Sequence, residues 1–313
     1  MCDVSIVIVN WNTRDLLVGL LRSIEDHCGS LRVETIVVDN GSSDGSVEAV
    51  RGEFPRVKLI VNGENLGFAR ASNIGIRECH GRYISLINSD VVIMPGCIEA
   101  LKELLDKQPD IGIAGPRILG PDGTPQVSCG DLPNPRGALC DAVLPLGVVR
   151  KSGFLGRILG VERNYSGPTD VQMLSGCFWF VRREAVDQVG LLDERFFIYS
   201  EDCDWCKRFH DNQWRVVFSP ASEAIHLGEG SSSIAPIRFY LEMQKARFAY
   251  WEKHHGFLGK AYYGVMLVLH EVIRLGAGSV LYVVDAGARP RHGALVVRSV
   301  SCLLWLFHLR EGR

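Results

Sequence analysis

The sequence predicts an α/β protein: a mainly parallel, Rossmann-like sheet flanked by helices, with a helical segment appended at the C-terminal end. Three observations predict it. Short β-type runs alternate with helical patterns through the first hundred residues. These runs are apolar on both faces, as strands of a parallel sheet covered by helices must be. Polar residues stand where the runs end, the edge at which open α/β sheets bind ligands.

The elements follow in order. Val4 to Val9 is a continuous apolar run that closes on Asn10-Trp11-Asn12. Thr13 is placed to cap the next helix, whose Leu16, Leu17, Leu20, Leu21 and Ile24 recur at three- and four-residue spacing. Val33 to Val38 ends at Asp39, Val57 to Val61 is a third run, and Tyr83 to Ile87 is a fourth ending at Asn88-Ser89-Asp90. Cys97 to Lys107 reads as a helix and Ile111 to Ala114 as a short fifth strand. Gly120-Pro121-Asp122-Gly123 is a strong turn signal. Asp131 to Thr169, rich in Gly and Pro, reads as an irregular excursion, either a lid or an acceptor-facing loop. Met173 to Val181 returns to β character, and Arg183 to Val189 and Asp202 to Asp211 read as short helices. Arg215 to Phe218 reads as a strand ahead of Pro220, with His226 in the following loop. Ile237 to His254 is a long helix whose aromatics suit a core.

With 313 residues, 47% of them apolar, the chain fits one large domain or a domain with an appendage. A formal net charge of −2 argues against wholesale nucleic-acid binding. The ten cysteines are scattered, and Cys203 and Cys206 form the single C-x-x-C, with no second pair to complete a zinc site. No basic stretch followed by an apolar one opens the chain, so a reducing, cytoplasmic setting is expected.

Chemistry concentrates in Phe196-Phe197-Ile198-Tyr199-Ser200-Glu201-Asp202-Cys203-Asp204-Trp205, where three carboxylates follow an aromatic run. Acids at such a boundary are costly unless solvated, paired or used. They also suit a helix N-terminus, which favours negative charge.

The upstream constellations are Val4 to Asn12, Val37-Val38-Asp39-Asn40-Gly41-Ser42-Ser43-Asp44-Gly45-Ser46, Asn62 to Asn73, and Leu86-Ile87-Asn88-Ser89-Asp90. In this order they resemble the nucleotide-sugar half of a family 2 glycosyltransferase with the GT-A fold. Gly176-Cys177-Phe178-Trp179-Phe180-Val181-Arg182-Arg183, Glu201-Asp202-Cys203-Asp204 and His226-Leu227-Gly228 continue the resemblance, which covers about Val4 to His254. The subgroup it is similar to is the rhamnosyltransferase-like one of bacterial surface-polysaccharide synthesis.

The resemblance implies roles. A nucleoside-diphosphate sugar would be held by Asn10, Asn12, Asp39, Asn65, Gly67, Arg70, Asn88 and Asp90. Asp39 would accept from the pyrimidine N–H, or alternatively cap an Asx turn. Gly67 would let backbone approach the ligand at a helix N-terminus that favours phosphate. Arg70 would add a charge-assisted contact, or alternatively lie solvated on the helix. Asn88-Ser89-Asp90 takes the place of the D-x-D motif, with Asn88 replacing its first acid. Asp90 and His226 would hold a divalent metal, Mn²⁺ or Mg²⁺. Asp202 would be the catalytic base of an inverting single displacement, with Glu201 and Asp204 as supporting acids. The sugar would pass, rhamnose from dTDP-rhamnose being the subgroup's example, to a glycan or polyprenyl-diphosphate-linked acceptor. A sugar nucleotidyltransferase and a non-catalytic nucleotide-sugar-binding scaffold subunit are the alternatives.

The resemblance divides the chain at residue 256: a glycosyltransferase domain over 1–256, with a nucleotide-sugar half to about 116 and an acceptor half after it, and apolar, basic helices over 257–313. Ala261 to Val284 and Ala294 to Leu309 are strongly apolar, and 257–313 carries seven Lys/Arg against three Asp/Glu. His270, Glu271 and Arg274 share one helical face and interrupt the first segment. Helices lying in a membrane interface fit, with Tyr262, Tyr263 and Trp305 at headgroup depth. This places the protein peripherally on the inner face of the cell membrane. The alternative is a helical pair packed on the globular domain or on a second subunit, as in a homodimer.

Overall fold

The computed structural model describes residues 2–29, 31–144, 165–228 and 236–310. Strand β1 (Val4–Asn10) pairs in parallel with β2 (Val33–Asp39) on one side and β4 (Tyr83–Asn88) on the other, and β2 pairs with β3 (Lys58–Val61). Helices α1 (Arg14–His27), α2 (Ser46–Glu53) and α3 (Phe68–Arg77) connect these strands. The register sets Asn10 beside Asp39 and Val9 beside Asn88, so the polar ends of three strands align at one edge.

Side chains alternate across the sheet. Ile6, Ile8, Tyr83, Phe178 and Phe180 pack with Leu17 and Leu20 on one face. Val7, Val38, Trp179 and Val181 pack with Ala69, Trp205 and Phe209 on the other. Burial on both faces explains why these runs read as continuously apolar.

Beyond β4 the sheet becomes mixed. Two more helices, α4 (Cys97–Lys107) and, in the second half of the chain, α6 (Arg183–Val189), flank it. Strand β11 (Phe178–Arg182) lies antiparallel to β4 and to β6 (Ile111–Leu119). Strand β12 (Arg215–His226) runs parallel to β6 and antiparallel to β5 (Val91–Ile93). The order is β3-β2-β1-β4-β11-β6-β12-β5. Short strands complete it: β7 (Pro125–Gln126) turns back on β6, β9 (Thr169–Asp170) pairs with β12, and β8 (Cys129–Gly130) pairs with β10 (Met173–Leu174).

Two local expectations change. Strand β12 does not stop before Pro220. Its register shifts between Ser219 and Glu223, a bulge where a proline forfeits no ladder hydrogen bond, and pairing resumes to His226 opposite Val91. His226 is therefore fixed on a strand end and not carried in a loop. Within the expected irregular excursion, α5 (Pro135–Val143) is a regular helix: Pro135 opens it and Asn134 Oδ1 accepts from the Gly137 N–H at 2.9 Å. Residues 145–164 of that excursion lie outside the described residues.

The chain divides into two units, 1–132 with 164–234 and 133–163 with 235–313. The first holds the sheet and α7 (Glu201–Asp211). The second holds α5, α8 (Pro236–Val284) and α9 (Arg289–Arg310). Helix α8 breaks at Gly256 (φ 67°, ψ −166°), and its two halves fold against each other. Tyr240 donates to Glu271, Tyr263 donates to Gln244 Oε1 at 2.6 Å, and the Trp251 and Tyr263 rings stack at 5.8 Å.

The charges interrupting the second half of α8 make contacts within the unit, with one oxygen of Glu271, Oε2, buried and unpartnered. Glu271 is buried against Tyr240. His270 Nδ1 meets the Asp141 carbonyl of α5 at 2.7 Å, and Arg274 stands 3.0 Å from His270. Tyr263 and Trp305 pack on Phe248, and Tyr262 donates to the Pro135 carbonyl. Apolar side chains face outward: Phe257, Leu258, Val265, Val272, Val280 and Val283 are exposed.

Candidate active site

The ends of β1 and β2 build a hydrogen-bonded pocket edge. Asp39 Oδ1 accepts from the Gly41 and Ser42 N–H groups at 3.1 and 2.8 Å, an Asx turn, and Oδ2 accepts from Asn10 Nδ2 at 2.9 Å. Asn10 also donates to Ser42 Oγ, which accepts from the Asn12 N–H. Asn12 sits at φ 54°, and its Oδ1 accepts from the Ser43 N–H at 2.8 Å. Thr13 stands at the start of α1, yet its hydroxyl donates to Asn10 Oδ1 at 2.7 Å and meets Ser89 Oγ at 2.8 Å. Asp44 takes over at the helix start, accepting from the Arg14 N–H. Thr13 thus ties the β1 end to the Asn88–Asp90 segment.

A second network positions the start of α3. Asn62 donates to Asn40, which donates to the Gly67 carbonyl, and Asn65 Oδ1 accepts from the Gly67 N–H at 2.9 Å. Gly67 (φ 82°) is needed for a close approach, and the neighbour is internal: a Cβ there would lie 2.3 Å from the Phe197 carbonyl oxygen, which accepts from the Phe68 N–H at 2.7 Å. Arg70 is exposed, 3.9 Å from Glu194. Asn73 clamps the Leu192 backbone through both amide atoms.

Asp90, just beyond β4, is buried, and its Oδ2 stands 3.3 Å from His226 Nε2. The other ring nitrogen, Nδ1, is 3.0 Å from Gln126 Oε1, and Gln126 Nε2 donates to the His226 carbonyl at 3.0 Å. The structure therefore brings Asp90 and His226 together from strand ends 136 residues apart in sequence. Among the described residues, no group of three or more His, Cys, Asp or Glu side chains gathers as a metal cage. Asn88 is held through its backbone, the N–H donating to the Cys177 carbonyl at 2.9 Å.

The acidic run begins α7. Tyr199 and Ser200 both adopt positive φ (72° and 65°), which few non-glycine residues do. This turn sends the chain from the buried Phe196 into the helix. The three acids then part company. Asp204 is fully buried and accepts from Arg208 Nε at 2.9 Å, while Arg208 also donates to the Val189 and Leu191 carbonyls. That is a positioning clamp for α7. Asp202 accepts from the Cys203 N–H at 2.7 Å and lies against Gly176, where an added Cβ would come within 3.7 Å of the Asp202 Cβ. Glu201 is buried with its Oε2 unpartnered. Burial, then the Asp202 charge, push the Glu201 carboxyl above its ordinary range, and burial raises that of Asp202.

Burial pushes the Cys177 thiol up to about 11, and the Asp90 and Asp202 carboxylates add to the rise. Sequence reasoning missed Thr13, Ser42, Ser89 and Gln126 as site-forming residues. Gly120-Pro121-Asp122-Gly123, the turn that returns Gln126 to β6, was the visible signal for the last. Cys206, in the C-x-x-C, is buried beside Leu174, its Sγ accepting from the Leu174 N–H at 3.5 Å.

A mixed sheet of this order, with acids and a histidine at its polar edge, defines a GT-A glycosyltransferase. Residues 5–190 match the model of glycosyl transferase family 2, and the chain belongs to that family. It is 30% identical over 234 residues to the N-acetylglucosaminyl-diphospho-decaprenol L-rhamnosyltransferase of Mycobacterium tuberculosis, covering 71% of this chain and 76% of that one. It is 27% identical to the dTDP-rhamnosyl transferase RfbF of Shigella flexneri, over 70% and 71% of the two chains. Among solved structures, the mannosyltransferase PcManGT of Pyrobaculum calidifontis, in complex with GDP-Man and Mn²⁺, superposes with a TM-score of 0.54 at 16% identity, over 97% of this chain and 89% of that one. GalNAc-T7 with UDP, GalNAc and Mn²⁺ gives 0.56 at 16% identity, and this chain spans 51% of its length. The protein is a glycosyltransferase, and inversion at the anomeric carbon is general to its family. Membership sets aside the nucleotidyltransferase and scaffold readings.

Proposed function

We propose that this chain transfers a deoxyhexose, rhamnose from dTDP-rhamnose, to a lipid-linked glycan acceptor during cell-surface polysaccharide synthesis. Similarity to two rhamnosyltransferases supports the donor, and the decaprenol-linked substrate named for one of them supports the acceptor. The observation that supports this site is the approach of the buried Asp90 to His226, Oδ2 to Nε2 at 3.3 Å, at neighbouring strand ends.

Asp39 and Asn10 hold the base, with Asp39 Oδ2 the atom that has a lone pair to spare beyond the Asx turn. Asn12, Asn65, Gly67, Arg70 and Asn88 line the way to the diphosphate. Asp90 and His226 would hold a divalent cation, and one carboxylate with one imidazole is a donor set suited to Mn²⁺. Bound there, a cation would supply positive charge to offset that of the diphosphate leaving group. Asp202 takes the proton from the acceptor hydroxyl while that oxygen attacks the anomeric carbon, and the carbon–oxygen bond to the diphosphate breaks with its electron pair. The raised carboxyl of Asp202 strengthens it as a base. One base suffices, and no covalent intermediate forms. Glu201 keeps its proton beside Asp202, and Asp204 fixes α7.

The exposed apolar side chains of the helical unit support contact with the inner face of the cell membrane, where a polyprenyl-linked acceptor resides. The test is a donor screen by nucleotide release, with and without Mn²⁺ and with polyprenyl-diphosphate-linked acceptors. Metal-dependent release of dTDP that rises with acceptor is expected. Release from other donors alone would overturn the donor assignment.

A further inference from the structure

His226 faces two groups that constrain its protonation by geometry alone. A backbone carbonyl can only accept a hydrogen bond, so the Gln126 atom 3.0 Å from the His226 oxygen must be its amide nitrogen. The amide oxygen is thereby turned to His226 Nδ1, also at 3.0 Å, and an oxygen there requires Nδ1 to carry a proton. In the neutral ring the proton is then absent from Nε2, whose lone pair faces the buried Asp90 carboxylate at 3.3 Å. Two lone pairs aimed at each other across that distance repel unless a proton, as in the charged ring, or a metal cation stands between them.

We propose that Gln126 is a positioning residue for the metal site: its carboxamide grips His226 by ring and backbone together and locks the tautomer that presents Nε2 to a divalent cation shared with Asp90. This rests on the reading of Asp90 and His226 as metal ligands. Groups that accept from the far N–H of a metal-bound histidine fix its orientation and raise its basicity. The fold supplies the grip through local turn chemistry. Gly123 adopts φ 76°, the Gly120 N–H donates to the Thr124 carbonyl at 2.7 Å, and the hairpin lays Gln126 opposite Ile118 on β6, next to the β12 end that carries His226. Asp122 Oδ1 accepts from both the N–H and the hydroxyl of Thr124, tightening the same turn.

The experiment titrates Mn²⁺ into the full chain with dTDP present, and with UDP in a parallel arm, reading free Mn²⁺ by electron paramagnetic resonance. Gln126→Met keeps the volume and removes both hydrogen bonds. It should weaken Mn²⁺ about tenfold or more. Gln126→Glu restores an acceptor at Nδ1 and should recover most of the affinity. Gln126→Met binding Mn²⁺ within twofold of wild type would overturn the proposal. His226→Ala separates the two layers: unchanged Mn²⁺ affinity there sinks the metal reading itself, whereas lost affinity there with intact binding in Gln126→Met sinks only the role of Gln126. A measurement that needs no variant is the ¹⁵N spectrum of the histidine ring above pH 8. His226 should show a protonated Nδ1 and a bare Nε2, and the opposite tautomer would contradict the grip.

Discussion

Glu201 and Asp202 are neighbours in sequence with unlike surroundings. Asp202 is partly open and accepts a backbone N–H, while Glu201 is closed in with an oxygen that meets no partner. The Glu201 carboxyl is raised in the folded chain above its unfolded value of about 4.5. Between those two values the unfolded chain is ionised and the folded chain keeps the proton, so stability falls as pH rises from the unfolded pKa towards the folded one. Glu201→Gln removes that loss. The variant should melt above wild type at pH 7, by about 2–4 °C for each kcal/mol released, and the difference should shrink towards pH 4. Thermal melts across pH check this, and a gap that does not change with pH would contradict it. The acids were legible in the sequence as a cluster. The resemblance already set Asp202 apart from Glu201 and Asp204, and the four-residue spacing already offered Arg208 to Asp204; the closing-in of Glu201 was not legible, because burial is a tertiary fact.

At the scale of elements, α7 is aimed by two devices. One is the Asp204–Arg208 pair with its carbonyl contacts; the other is the close approach of Phe197 to Gly67. Gly67→Ala would add a Cβ at a positive φ and against a backbone carbonyl. Left-handed backbone alone costs about 1–2 kcal/mol, and the clash adds roughly 1–3. Chemical denaturation should register the sum, and transfer should fall with it, since the displaced segment leads straight into Glu201 and Asp202. A variant as stable and active as wild type would show that the approach is incidental. The parallel half of the sheet was readable because β1, β2 and β4 are apolar on both faces. The other half was harder. Pro220 hides a strand that continues through a bulge, and β7 is two residues long, too short for any periodicity, so Gln126 carried no signal of its own. Thr13 had the right residue type for a cap and spends its hydroxyl on Asn10 instead.

At the scale of the whole molecule, the chain forms a unit that carries the sheet and a helical unit assembled from separated segments. The second was only half visible in sequence. Its apolar tail stood out, but α5 lies a hundred residues earlier in a Gly- and Pro-rich stretch, and the turn at Gly256 looked like a domain end. His270, Glu271 and Arg274 make contacts inside the unit, while Val265, Val272 and Val283 are exposed. Replacing Val265, Val272 and Val283 together with Glu should abolish flotation with anionic vesicles while leaving nucleotide release to a soluble acceptor within about twofold. Flotation equal to wild type would remove this face as the anchor. The claim on which the whole account turns is that Asp202 deprotonates the acceptor. It is tested most directly by comparing Asp202→Asn with wild type for donor affinity and for single-turnover transfer. The account predicts unchanged donor affinity, within about threefold, and transfer slowed by about 10²–10⁴-fold, the span a positioned base supplies. Transfer at near wild-type rate in that variant would contradict it.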